Sequence, residues 1–124
     1  MTNQRKKTGA LGEAIAAQHL IEQGYEIIAK NWRCAEGELD LVAKIEGDLV
    51  FVEVRTRIGQ RLGSPEESIT RTKQEKLIQL AYAFLDTYQG PDYPWRIDVI
   101  AVVLNGQRQV VRLNHIEYAV GEDF

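Results

Sequence analysis

Four charged residues stand two apart in pairs: Glu38 and Asp40 in Gly37-Glu38-Leu39-Asp40-Leu41-Val42, and Glu53 and Arg55 in Phe51-Val52-Glu53-Val54-Arg55. Residues two apart on a strand share a face. The two runs are β-prone and flank a short polar break at Glu46-Gly47, which is the pattern of a β-hairpin. An even-length loop centred on that break sets Asp40 opposite Glu53 and Glu38 opposite Arg55. Cβ atoms of opposed residues lie about 4.5–5.5 Å apart, close enough for like charges to repel. Arg55 is expected to neutralise Glu38, which leaves Asp40 facing Glu53. Three outcomes are open. One carboxyl holds a proton, its pKa raised by its neighbour; or a hard divalent cation joins the two, with water and backbone carbonyls; or a bulge breaks the register and the cluster is a solvated strand end.

The elements around this pair must hold it in place. The opposite face of the hairpin collects Leu39, Leu41, Ala43, Ile45, Val50, Val52 and Val54, with Val42, Leu49 and Phe51 on the charged face nearer the turn. The hairpin is thus expected to be half-buried. Before it, Thr8 to Gln23 reads as a helix stopped by Gly24, with Ala10, Ala14, Ala17, Leu20 and Ile21 as its apolar face. Glu13 shares that face. A carboxylate there needs a partner, and it serves either as a first-turn acid favoured by the helix dipole or beside a metal. His19 falls on the polar side and is expected to be exposed. Tyr25 to Ala29 reads as a short strand, and Trp32 as a packing residue.

After the hairpin, Ile58 to Gly63 reads as a loop. Ser64-Pro65-Glu66-Glu67 is a helix start with a serine cap and a capping-box glutamate, and Thr70 is an alternative start for a second helix. Leu77, Leu80, Ala81, Phe84, Leu85 and Tyr88 recur at helical spacing, and the N-terminal end of that helix carries Arg71, Lys73, Gln74 and Lys76. Gly90 to Pro94 breaks it. Arg96 to Leu104 is a strand, and Asn105-Gly106 is a hairpin turn returning through Gln109 to Leu113. Arg96 and Asp98 read as a structural pair on that strand, and Gly121 to Phe124 as a tail. The order helix, strand, hairpin, helix, hairpin specifies an α/β (α+β) single domain over residues 1–124, a mixed sheet flanked by helices.

The chain of 124 residues is large enough for one core. It has no apolar run of membrane length and no signal-peptide pattern, and its one cysteine, Cys34, cannot form an internal disulfide. A cytoplasmic location without membrane contact is therefore expected. The net charge of −3 argues weakly against a simple nucleic-acid binder, but its distribution matters more. Residues 1–7 and residues 55–76 carry +3 each, which leaves −9 elsewhere. Basic residues thus follow directly on the carboxylates, as drawing a phosphate backbone to a metal site would require.

An acid on the first helix (Glu13), an Asp on one strand (Asp40) and Glu-x-basic on the next (Glu53-Val54-Arg55), followed by a basic helix, resemble the PD-(D/E)xK restriction-endonuclease-like nuclease core. Within it the chain is similar to the YraN-like family, through Gly12-Glu13, Asn31-Trp32-Arg33, Gly37-Glu38-Leu39-Asp40-Leu41 and Phe51-Val52-Glu53-Val54-Arg55-Thr56-Arg57. It also resembles archaeal Holliday-junction resolvases in its helix-borne glutamate. The resemblance implies a Mg²⁺- or Mn²⁺-dependent endonuclease acting on nucleic acid, with DNA as the expected substrate. Asp40 and Glu53 would be the metal ligands with the Val54 carbonyl, and Glu13 and Arg55 would assist catalysis. Arg57, Lys73 and Gln74 would contact substrate. Junction cutting would require a homodimer. Arg55 departs from the usual Lys: a guanidinium cannot serve as a general base, though it can hold a water or stabilise developing charge. Two other classes stay open, a catalytically silent nuclease-fold nucleic-acid-binding module and a small protein-interaction domain.

Overall fold

The computed structural model describes residues 2–59, 61 and 63–120, with side chains from residue 4 onward. The elements follow the order α1 (Thr2–Glu22), β1 (Glu26–Cys34), β2 (Gly37–Ile45), β3 (Asp48–Ile58), a single 3-10 turn (Pro65–Ser68), α2 (Arg71–Thr87), β4 (Trp95–Leu104) and β5 (Val110–Val120). The strands form one sheet in sequence order. The β3–β4 pair is parallel and the others are antiparallel. This is the expected mixed α/β sheet, with α1 on one face and α2 on the other.

The hairpin register is the one expected. Leu41 stands opposite Val52, Ala43 opposite Val50 and Ile45 opposite Asp48. Glu46 (φ 48°) and Gly47 (φ 86°) form the two-residue connection with both residues left-handed, the twist that matches flanking strands. Two positive φ angles are tolerated because only one of them falls on a side-chain-bearing residue.

The hairpin is buried on both faces, not one. Leu41, Ala43, Val50 and Val52 pack with Ala16, Ala17 and Leu20 of α1, whereas Leu39, Val42 and Phe51 pack with Leu77, Leu80, Ala81 and Phe84 of α2. The supposed charged face is in fact the floor of α2. The α1 stripe is also rotated from the expected one. Ala16, Ala17 and Leu20 are buried, while Ala10 and Ala14 face solvent and Ile21 is 51% exposed. The helix turns Gly12 toward β3 because only glycine fits there: a Cβ would lie 1.9 Å from Thr56 Oγ1.

Several boundaries differ from the expected ones. The first helix begins at Thr2, and the first strand runs on to Cys34, with a bulge between Ile27 and Ala29. Gly24 (φ 95°) does end α1. Ser64 caps only the 3-10 turn, Thr70 caps α2, and Trp32 packs edge-on against Phe84. Asn105-Gly106 is not a two-residue turn. The Asn105 side chain accepts the N–H groups of Gln107 and Gln109 and closes a longer loop, after which β5 continues to Val120. The tail at 121–124 and part of the loop before residue 63 lie outside the described residues. No helix among the described residues is long and apolar enough to cross a membrane.

Candidate functional site

Strand alternation fails at Asp40. Leu39 packs into the α2 cluster and Leu41 into the α1 cluster, although residues two apart should share a face. The β2–β3 ladder ends at Leu41 and Val52, so Asp40 and Glu53 no longer face each other as ladder partners. Instead the Val54 N–H donates to Asp40 Oδ2 at 2.8 Å. A side chain has taken the place of a strand partner, which satisfies a backbone donor and opens a wedge between the strands.

The wedge still gathers the expected carboxylates. Glu53 is 5% exposed, one of two charged residues in the buried class among those described. Burial pushes the Asp40 carboxyl up to about 7, and the neighbouring Glu53 carboxylate adds to the rise, while the Val54 N–H opposes it. Glu13 is also raised, by burial and then by the charges of Asp40 and Glu38. Of the three outcomes the hairpin left open, the raised Asp40 carboxyl fits one that takes up a proton near neutral pH, and the bulge is not found: the register holds as far as Leu41 and Val52, where the ladder ends and the acids stay together.

The cations are arranged differently from the expectation. Arg55 does not neutralise Glu38. Its Nη2 lies 3.0 Å from Glu53 Oε2, and Lys73 Nζ lies 3.4 Å from the same oxygen. Glu38 pairs with Arg33 at 3.2 Å. Asn31 sits in the left-handed region at φ 51°. With its amide oriented to satisfy its neighbours, its nitrogen donates to Glu13 Oε1 at 2.8 Å and Glu38 Oε1 at 2.7 Å. Asn31 thus spaces two carboxylates that would otherwise repel. The Arg55 Nε is buried without a partner among the described residues, as is Gln74 Oε1; the Gln74 amide nitrogen donates to the Ile69 carbonyl at 3.4 Å.

Glu13, Asp40, Glu53, Arg55 and Arg57 line one cleft of about 710 Å³ together with Arg5 from α1. Lys73 joins it through Glu53. The sequence-expected site residues are therefore brought together, apart from Gln74, whose amide is turned to the backbone. Among the described residues, no three His, Cys, Asp or Glu side chains converge as a ready-made metal cage. The donor set does suit a hard cation: the half-buried Asp40 and the buried Glu53 carboxylates, the former raised by burial and then by the latter, and a strand carbonyl. A residue's N–H and C=O point to the same side of its strand, so the Val54 carbonyl is directed toward the Asp40 side, beyond the end of the ladder. Mg²⁺ is commonly held by one or two carboxylates, with water and substrate oxygens supplying the rest.

Sequence reasoning missed a second polar cluster. His19 is half-buried, not exposed, and its Nε2 lies 3.2 Å from His115 Nδ1. His115 Nε2 is 2.9 Å from Asp98 Oδ2. Asp98 is fully buried and also takes Arg96 Nε at 3.0 Å and the Tyr118 N–H at 3.1 Å. Burial alone would raise Asp98, but the bonds from His115, Arg96 and Tyr118 hold it below the usual carboxylate range. The Arg96–Asp98 pair is structural, as expected. Its histidine extension spans 96 residues of sequence, and no local pattern carries it.

Comparison with known proteins places the chain. Residues 12–102 match the model of the uncharacterised protein family UPF0102. The chain is 50% identical over 123 residues to a UPF0102 protein of Roseiflexus castenholzii, covering 98% of this chain and 99% of that one. It is 47% identical over 124 residues to one from Chloroflexus aurantiacus, with 99% and 100% covered. A third, from Caldanaerobacter subterraneus, is 39% identical over 113 residues, with 90% and 93% covered. The matched span contains Glu13, Asp40, Glu53, Arg55 and Lys73, and the chain belongs to the uncharacterised protein family UPF0102.

Proposed function

We propose that this protein is a divalent-metal-dependent endonuclease of the PD-(D/E)xK type, in its YraN-like branch, acting on DNA with Mg²⁺ or Mn²⁺ at Asp40 and Glu53. One observation carries the reading: a half-buried Asp40 beside a buried Glu53, the former pushed up to about 7 by burial and by the latter, at the end of a strand ladder and beside Arg5, Arg55 and Arg57 in one cleft. Perturbed carboxylates in an open, cation-lined hollow are the arrangement in which functional sites concentrate. Family membership leaves the activity open, since a shared fold does not fix a reaction.

Asp40, Glu53 and the Val54 carbonyl would hold the metal. A bound metal supplies polarisation of the phosphate and a more acidic water. The chain's own residues do the rest. The Val54 N–H fixes the Asp40 carboxylate. Asn31 bridges Glu13 and Glu38, and Glu13 lines the same cleft as Asp40, where it would accept a proton from water. Lys73 places an ammonium at Glu53 Oε2, beside Arg55 on the same oxygen, so the site has a lysine although Arg55 holds the usual lysine position. Arg55 and Arg57 are placed to take the phosphate charge.

A second reading rests on the same cations. Arg55 and Lys73 already neutralise Glu53, which suits a catalytically silent module that binds nucleic acid through the basic cleft without a metal. Incubating the protein with labelled branched, flapped, single-stranded and duplex DNA, and with RNA, in millimolar Mn²⁺ tests the two. Cleavage lost in Asp40→Asn supports the nuclease. Retention of DNA without cleavage by any of these substrates favours the silent module.

A further inference from the structure

Away from the carboxylate cleft, His19 of α1 and His115 of β5 meet over a hollow of about 350 Å³ that is also lined by Tyr25 and Glu117. Asp98 sets the chemistry of this pair. A carboxylate only accepts hydrogen bonds, so the His115 Nε2 must donate to it. In the neutral ring this leaves His115 Nδ1 as a bare lone pair turned toward His19. A histidine whose far nitrogen is fixed by a buried carboxylate is the arrangement that orients imidazole ligands of transition metals and raises their basicity. The second requirement is spacing. Two nitrogens bound tetrahedrally at about 2.0–2.1 Å lie roughly 3.3 Å apart; the two rings, now joined by a 3.2 Å hydrogen bond, already hold their nitrogens within that span.

We propose that His19 Nε2 and His115 Nδ1 form a transition-metal site for an ion of the zinc or cobalt class, with Asp98 as the carboxylate behind His115 and Glu117 as the carboxylate at the rim. His19 Nε2 now donates to the His115 Nδ1 lone pair, so on metal binding the His19 proton moves from Nε2 to Nδ1. Glu117 lines the same hollow with its side chain 57% exposed, and Arg96 meets it only at 3.9 Å, so it turns in without breaking a close pair. Water fills the remaining position. Nitrogen donors separate this site from the all-oxygen cleft, which suits Mg²⁺ and Mn²⁺.

The test is Co²⁺ titration of the full chain followed by visible absorption, paired with Zn²⁺ calorimetry, on the parent and on His19→Ala, His19→Gln and Asp40→Asn. His19 is half-buried on the helix, where alanine favours the fold, and far-UV circular dichroism checks it. The expected result is one equivalent that gives tetrahedral cobalt bands in the parent, distinct from the oxygen-ligated ion bound at Asp40 and Glu53, which gives weak bands and is lost in Asp40→Asn. Affinity should fall at least about 100-fold in both His19 variants, more than loss of an outer partner causes, and stay unchanged in Asp40→Asn. Absence of binding at millimolar metal overturns the site. So does parent-like binding by the His19 variants, or binding that disappears only with Asp40.

Discussion

Asp40 accepts the Val54 N–H at 2.8 Å, at the point where strands β2 and β3 stop pairing. The end of the ladder thus brings Asp40 of the hairpin, Glu53 and Glu13 to one cleft. The remainder of the site follows from how neighbouring elements close around that point.

Glycine at position 12 lets α1 approach β3. Gly12→Ala should destabilise the protein by about 1–3 kcal/mol, the range for forcing extra volume into a packed contact, because the new Cβ meets Thr56 Oγ1 and also lies 2.9 Å from Thr56 Cβ. Urea unfolding measures it. Adding Thr56→Ala should recover part of the loss, so the pair should be non-additive in a double-mutant cycle. Additive losses would mean that the contact does not set the helix height.

Lys73 and Arg55 share one oxygen of Glu53 but should not contribute equally to cleavage. Lys73→Ala should lower the cleavage rate by about 10²–10³-fold, the cost of removing one charge-stabilising group. Arg55→Lys keeps a cation at Glu53 and should stay within about tenfold of the parent. Rate measurements at saturating Mn²⁺ decide it. The reverse order of effects would return the main role to Arg55.

How much of this site could be read beforehand depended on the residue. The register of the hairpin was legible because alternating apolar runs around Glu46-Gly47 admit one pairing. The meeting of Asp40, Glu53 and Arg55 in one cleft was legible because their spacing within the hairpin is local, and Glu13 joined them only through the resemblance. The ion pairs were not: Arg33 takes Glu38 and α2 delivers Lys73 to Glu53, both consequences of long-range packing. The half-buried expectation failed because the side of the hairpin that bears Val42 and Phe51 is covered by α2, and strand periodicity cannot show what lies above a face. The break in alternation at Asp40 was invisible for a similar reason, since it is set by the side chain replacing a ladder bond. His19 was misplaced because its partner lies on the last strand.

Glu66 fastens the 3-10 turn to β5 through two hydrogen bonds from Arg112, at 2.6 and 2.9 Å, and one from Asn114. The Arg112 bonds hold its carboxyl down at about 2, against 4.5 for the free group. A lowered folded-state pKa stabilises above the unfolded value, and that stability is lost as pH falls through the folded value. Thermal unfolding between about pH 5 and pH 2 should therefore be steeper in the parent than in Glu66→Gln. Identical slopes would show that the bridge adds nothing to acid stability.

Proton and metal should compete at Asp40. Because its carboxyl is raised to about 7, Mn²⁺ affinity should weaken by about tenfold for each pH unit below that value, since the ligand must lose its proton first. Calorimetry at about pH 5.5, 6.5 and 7.5, in one-unit steps around that pKa, would show it. A flat profile would place the metal elsewhere.

The central claim is that Asp40 and Glu53 hold a hard divalent cation, and Mn²⁺ binding to the full chain tests it without a substrate. Paramagnetic broadening of amide signals, run on the parent and on Asp40→Asn up to millimolar Mn²⁺, should spread from Asp40, Glu53 and Val54 in the parent and be absent there in the variant. Broadening of those same signals in Asp40→Asn, or none in the parent even with a DNA duplex added, would contradict the account and leave the cleft as a basic surface for nucleic acid.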